Sequence, residues 1–154
     1  MILDIIKNPN PILRKISDKV NKNDVVKYQQ MVLDMTETML IKDGVGLAAP
    51  QVGSNIQLIV ISKEADKLSD HLVLFNPRIT DLSLKTVVME EGCLSLPGIF
   101  KNVERAEKIR IKALDKNGEK IHIKAKGFLA RVLQHEIDHL HGILFIDKAQ
   151  DNDK

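Results

Sequence analysis

Apolar residues recur at helical spacing in two stretches of the chain and alternate with polar ones in several others. Val25, Tyr28, Val32, Met35 and Met39 lie three or four residues apart, the period that stacks side chains on one helix face. The spacing predicts a helix capped by Asn23 or Asp24 and running to about Asp43, with Gly44 as its stop. Farther along, Phe128, Val132, His135 and His139 fall at intervals of four, three and four, predicting a second helix from near Gly127 to Gly142. Between the two, Ile56 to Ile61, Leu72 to Phe75, Thr86 to Met89 and Lys108 to Leu114 read as strands. Asn117-Gly118 reads as a two-residue turn that joins the last of these to a strand from Lys120 to Lys124. The segment Gly44-Val45-Gly46-Leu47-Ala48-Ala49-Pro50-Gln51 holds too much glycine and proline for a regular element. Asn8-Pro9-Asn10-Pro11 predicts an extended, turn-rich arm. The pattern is that of an α+β fold: a single domain of antiparallel strands packed around the late helix, plus a long N-terminal helix. We expect the domain to span residues 1–147, with 148–154 as a short polar tail that frays from about Asp147.

At 154 residues the chain can bury one sizeable core. Its 23 basic and 21 acidic residues leave a formal charge of +2, so no basic stripe and no direct nucleic-acid site are expected. The longest apolar run, near Ile56 to Ile61, is far too short to span a bilayer. The first residues, Met1-Ile2-Leu3-Asp4, place an acid where a secretory leader carries basic residues. The single cysteine suits a reducing compartment. We therefore expect a cytoplasmic protein, with an organellar one after loss of a transit peptide as the alternative.

The second helix carries the chemistry. His135-Glu136-Ile137-Asp138-His139 is a His-Glu-x-x-His segment, and on a helix its imidazoles stand one above the other, able to share one metal ion. Glu136 lies beside that ion as a proton carrier; without the flanking histidines it would read as a solvated helix glutamate. A third ligand must come from elsewhere. Cys93, in Glu91-Gly92-Cys93-Leu94-Ser95-Leu96-Pro97-Gly98, is the candidate, although lone cysteines are often inert core residues. Thiolate plus two imidazoles leaves one tetrahedral position for water, as a hydrolase requires, and on its own suggests zinc. Gly92 lets the backbone approach the metal, and the Leu94 N–H can point at the open position. Gln51 offers a neutral amide for a developing oxyanion. Phe128 and Val132, on the histidine face, are either core or the apolar wall of a substrate pocket. Asp138 can orient a histidine or pair with a basic residue, and is assigned no catalytic role. His71, His122 and His141 read as ordinary polar side chains.

Three segments, Gly44 to Gln51, Glu91 to Ser95 and Gln134 to Leu140, in this order, resemble the hallmarks of the peptide deformylase family. The similarity extends over nearly the whole chain. It implies a metal-dependent enzyme that removes the formyl group from N-formylmethionyl nascent peptides and releases formate. By the same resemblance Cys93, His135 and His139 bind the metal, usually Fe(II), with zinc, nickel or cobalt as alternatives in the purified protein. Glu136 acts as general base and then acid on the attacking water. The Gln51 amide and the Leu94 N–H hold the oxyanion. Backbone groups near Val45, Gly46 and Gly92 align the peptide as an added strand, and Val45, Phe128 and Val132 receive the methionine side chain. Arg105 matches a family arginine and is expected to steady Glu91. Gly98-Ile99-Phe100-Lys101 departs from the family, many of whose bacterial members carry an arginine there. That leaves recognition of downstream peptide carbonyls open. Arg131 stands where an apolar residue is common and is expected to narrow or rim the pocket. A transient ribosome contact is implied as well. Its usual route through a further C-terminal helix is not expected of a chain ending at Lys154.

Two rivals remain at this point. A peptidase cutting ordinary peptide bonds would make no distinction between formylated and unformylated peptides. A structural metal module would fill all four positions with protein ligands, and no second cysteine is available to do so.

Overall fold

The computed structural model describes residues 1–150. Its elements form an α+β domain with two antiparallel sheets and two helices, α1 (Gln29–Ile41) and α2 (Gly127–Leu140). The larger sheet has the order β1-β2-β3-β6-β7, from Gly46–Ala48, Leu58–Ile61, Leu72–Leu82, Lys108–Leu114 and Lys120–Lys126. The smaller is a hairpin of β4 (Thr86–Cys93) and β5 (Leu96–Ala106).

Leu58-Ile59-Val60-Ile61 is apolar at every position because both faces of β2 are covered. Ile59 and Ile61 join a core with Leu129, Ala130, Leu133 and Ile137 of α2. Leu58 and Val60 join a second core with Val32, Met35 and Met39 of α1. Helix α2 is thereby packed along its length onto the sheet, which fixes where its histidines project.

The pattern of β6 and β7 differs. Ile109, Ile111 and Ala113 turn toward α2, whereas Lys108, Arg110 and Lys112 turn outward. Helix α1 packs on β1 and β2 and leaves this outer face exposed. Near-balanced charge predicts no basic stripe, yet the β6–β7 register assembles one from the two strands of a hairpin.

Several expected boundaries shift for local reasons. The Asn21 side chain, rather than Asn23 or Asp24, accepts the Asn23 N–H at 2.9 Å, and the first turns, Lys22–Tyr28, are 3-10. Asp43, at φ 57°, takes the left-handed position that ends α1, and the Gly44 N–H closes on the Met39 carbonyl at 2.8 Å. The β6–β7 connection is Asp115 to Glu119 rather than a two-residue turn. The Asp115 carboxylate accepts the N–H groups of Asn117 and Glu119 at 2.8 and 3.0 Å. Gly46–Ala48 and Leu96–Ala106 are strands where none was expected. Fraying from Asp147 is not seen through Gln150. Asp147 pairs with Arg14, Ala149 bridges Val103, and the Gln150 N–H bonds the Asn102 carbonyl at 2.9 Å. The rest of the expected tail, 151–154, lies outside the described residues.

Candidate metal centre

Helix α2 supplies His135, Glu136 and His139, the last residue of β4 is Cys93, and the 3-10 turn after β1 supplies Gln51. One donor atom each from Cys93, His135 and His139 lies within 4.8 Å of the others. Cys93 Sγ and His139 Nε2 are 3.4 Å apart. Two ligand bonds of about 2.3 and 2.1 Å at a tetrahedral angle would put such atoms about 3.6 Å apart, so the pair has the span that one cation demands.

His135 is held from behind: its Nδ1 lies 2.9 Å from Glu91 Oε1, which leaves Nε2 free to face a metal. Glu91 is itself clasped: Arg105 donates from Nε and Nη2 at 2.7 and 2.9 Å, and Arg131 donates from Nη1. Arg105 also donates to Asp138 at 2.8 Å, and Lys148 pairs with the same carboxylate. Asp138 is thus a partner of basic residues, the second of the two options its sequence left open. Arg131 does line the cavity beside these groups, as expected, but from a buried position. It is 5% exposed, and its guanidinium is spent on Glu91 and on the Val87 and Val103 carbonyls, tying α2 to both strands of the hairpin. No local pattern announces this, because its partners come from other elements.

Burial pushes the Glu136 carboxyl up to about 7, against the downward pull of His135 and Arg105. That places it where a group can both accept and return a proton near neutrality. Burial together with the charges of His135 and Arg105 lowers His139 well below its ordinary value, keeping its lone pair free for a metal. Burial alone would lower His135 too, but its bonds with Cys93 and Glu91 outweigh that and raise it to about 10. A cation at this site must displace that proton, so metal uptake releases protons. Glu136 Oε1 is buried without a hydrogen-bond partner among the described residues. A buried polar atom left unmatched in this way fits a site completed by an ion and its water. The donor set and its surroundings suit a divalent cation.

Gln51 is fixed at both ends. Its Oε1 accepts the Ala48 N–H at 3.0 Å, and its Nε2 donates to Ser95 Oγ at 3.1 Å, 3.4 Å from Cys93 Sγ. Ser95, to which the sequence assigns no role, is fully buried. Its hydroxyl helps to fix the face of Gln51 turned toward the thiol.

A cavity of ≈ 490 Å³ opens beside these groups. Val45, Gly46, Gln51, Gly92, Cys93, Leu94, Phe128, Val132, His135 and Glu136 all line it; His139 is buried behind. Val132 is 5% exposed and Phe128 44%, so one forms the floor and the other the mouth. Two glycines permit close approach. A Cβ at Gly46 would sit 2.7 Å from Glu136 Oε2, and one at Gly92 would sit 2.7 Å from the Phe100 ring. His71 accepts the Lys63 N–H at 2.9 Å, and His122 and His141 line a different groove.

A family model for polypeptide deformylase matches residues 2–154. Peptide deformylase 1 of Bacillus cereus is 46% identical over 148 residues, covering 96% of this chain and 92% of its own. The chloroplastic peptide deformylase 1B of Oryza sativa is 44% identical, covering 95% of this chain and 54% of its own. The crystal structure of the peptide deformylase from Thermotoga maritima superposes with a TM-score of 0.90 at 39% identity, covering 97% of this chain and 99% of its own. The chain belongs to the peptide deformylase family, metal-dependent hydrolases that remove the N-terminal formyl group from nascent peptides.

Proposed function

We propose that residues 1–147 are the catalytic unit and that Cys93, His135 and His139 hold one divalent cation, Fe(II), at its centre. The choice of iron rests on the family resemblance; the donor set itself also suits zinc. When bound, the cation supplies Lewis acidity and makes water nucleophilic at neutral pH.

The chain's own residues do the rest. Glu136 takes a proton as water attacks the formyl carbon. Negative charge gathering on the formyl oxygen meets the Gln51 amide and the Leu94 N–H. As the C–N bond breaks, Glu136 returns the proton to the departing amine, leaving formate and a free N-terminus. Val45, Gly46 and Gly92 offer backbone groups along which the peptide lies as an added strand. The methionine side chain enters the apolar pocket of Val45, Phe128 and Val132. The observation that carries this reading is the double anchoring of Gln51, which sets a neutral donor beside the thiol with no freedom to turn away.

Anaerobic purification with metal analysis, followed by formate release from formyl-Met-Ala-Ser, tests the ion and the reaction together. Chelation is expected to abolish release and Fe(II) to restore it. Formate release by metal-free protein, or equal cleavage of the unformylated peptide, would overturn the reading.

Gly46→Ala gives a sharper test of the cavity. Its methyl group must displace the Glu136 carboxylate or the strand that carries it. We expect kcat to fall by at least about tenfold, since a misplacement near 1 Å is costly in a positioned site, with metal content unchanged. Wild-type kcat would show that Glu136 does not need its present position.

The compartment we propose is the cytoplasm, and relatives of both bacterial and chloroplastic kinds keep an organelle as the alternative. No helix among the described residues is long and apolar enough to cross a membrane. We also propose a transient ribosome contact, since the substrates are nascent peptides.

A further inference from the structure

The outer face of β6 and β7 carries charge of one sign in register. Lys108 lies opposite Lys126, Arg110 opposite Lys124, and Lys112 opposite His122, all exposed. Arg78 of β3 extends the row beside Lys112. Like charges set directly across a ladder repel and destabilise it, so folding gives no reason for this arrangement. Asp66 and Asp81 share a groove with Lys108, Arg110, Lys124 and Lys126, yet none of these lysines and arginines forms an ion pair among the described residues. Asp81, the carboxylate in register with Arg110, forms none either. With a formal charge of only +2 on the whole chain, a generally basic composition does not account for this local cluster of cations.

The face has a definite shape. Its residues form two rows about 5 Å apart, with neighbours about 7 Å apart along each row. They stand on strands whose opposite side is packed core, Ile109, Ile111 and Ala125 against α2, so the rows are rigid. The outward positions from 108 to 112 and from 122 to 126 hold only Lys, Arg and His. No aromatic side chain is present there to stack on unpaired bases, and no apolar one to enter a lipid surface. What complements such a face is a stiff polyanion with dense, regular charge, and a nucleic-acid duplex carries about one charge per 1.7 Å of axis.

We propose that this face docks the enzyme on the phosphate backbone of double-helical RNA. The cavity lies on the α2 side of the sheet and the cations on the other, so docking leaves the peptide's entry uncovered. Nascent peptides emerge from an RNA-rich particle, and a sequence-independent hold on its duplex segments concentrates the enzyme near them. The docking does not depend on the roles assigned to the metal-centre residues.

The test is fluorescence anisotropy with a labelled RNA duplex of about two helical turns, using the full chain at several salt concentrations. With four to six phosphates contacted, log affinity is expected to fall with log salt at a slope of about −4 to −5. The variant K108Q/R110Q/K124Q is expected to reduce that slope by about 3 and weaken binding at low salt at least tenfold, while releasing formate from formyl-Met-Ala-Ser at the wild-type rate. Its thermal midpoint is expected to stay level or rise as repulsion is relieved, which separates lost docking from lost folding. Glu136→Gln is expected to bind the duplex as the wild type does, so failure of the proposed chemistry and failure of docking are read separately. Absence of duplex binding, undiminished binding by the triple variant, or tighter binding to vesicles of acidic phospholipid would each overturn the proposal.

Discussion

Replacing Glu136 with Gln is expected to lower kcat by a factor of about 10² to 10⁴, the usual contribution of a positioned general acid or base, while bound metal stays stoichiometric. That range corresponds to about 3 to 5 kcal/mol of lost transition-state stabilisation. The substitution conserves volume in a side chain that is 5% exposed and removes only the capacity to take up a proton. A buried carboxylate whose Oε1 has no hydrogen-bond partner is costly to keep in place. Its amide counterpart is therefore expected to raise the thermal midpoint or leave it level. KM for a formylated tripeptide is expected to change little, because the affected step is proton transfer rather than holding the methionine side chain. Formate release, metal content and thermal melting on one preparation check all three. A fully metallated variant turning over within a few-fold of wild type would remove Glu136 from the chemistry.

How much of this was legible depended on where the information lay. Helix α2 was legible because its face repeats within itself: Phe128, Val132, His135 and His139 share one stripe whatever they pack against. Strands β6 and β7 were legible from alternation, since one face is core and the other solvent. Strand β1 escaped notice because three residues, one of them glycine, carry no period; it exists through its ladder with Val60 and its neighbours on β2. Strand β5 escaped because its hairpin is covered only in part. Ile99 and Phe100 are both exposed, and a strand without a consistently buried face shows no alternation. Within the site, the metal-binding candidates carried their own motifs. The buried role of Arg131 and the basic face did not. Both arise from register between segments, Arg131 meeting Glu91 across 40 residues and Lys108 meeting Lys126 across a hairpin.

The largest loss of stability is expected from Glu91→Ala. Glu91 is 7% exposed and neutralises two guanidinium groups that are themselves 3% and 5% exposed. Removing it strands Arg105 and Arg131 in the interior, though Arg105 keeps Asp138 and Arg131 keeps two carbonyls. Breaking a buried pair from one side costs about 3 to 5 kcal/mol. The same change frees His135 Nδ1 from its carboxylate, and loss of such a supporting bond weakens metal binding by about 10- to 100-fold. Acid should expose the same group in the wild type. Burial by itself would raise the Glu91 carboxyl, but its bonds with His135 and Arg105 outweigh burial and lower it from 4.5 to about 2. A carboxyl depressed in the folded state stabilises the fold fully above its unfolded value and loses that contribution as the pH falls through its folded one. The window therefore runs from about pH 4.5 down to about 2, with about 3 kcal/mol at stake. Thermal melting of wild type and Glu91→Gln between pH 7 and about 3 measures this. The wild-type midpoint should fall on acidification, whereas that of Glu91→Gln should start lower and fall less. Parallel curves for the two proteins would mean that the guanidinium clasp, not the charge of Glu91, is what ties the hairpin to α2.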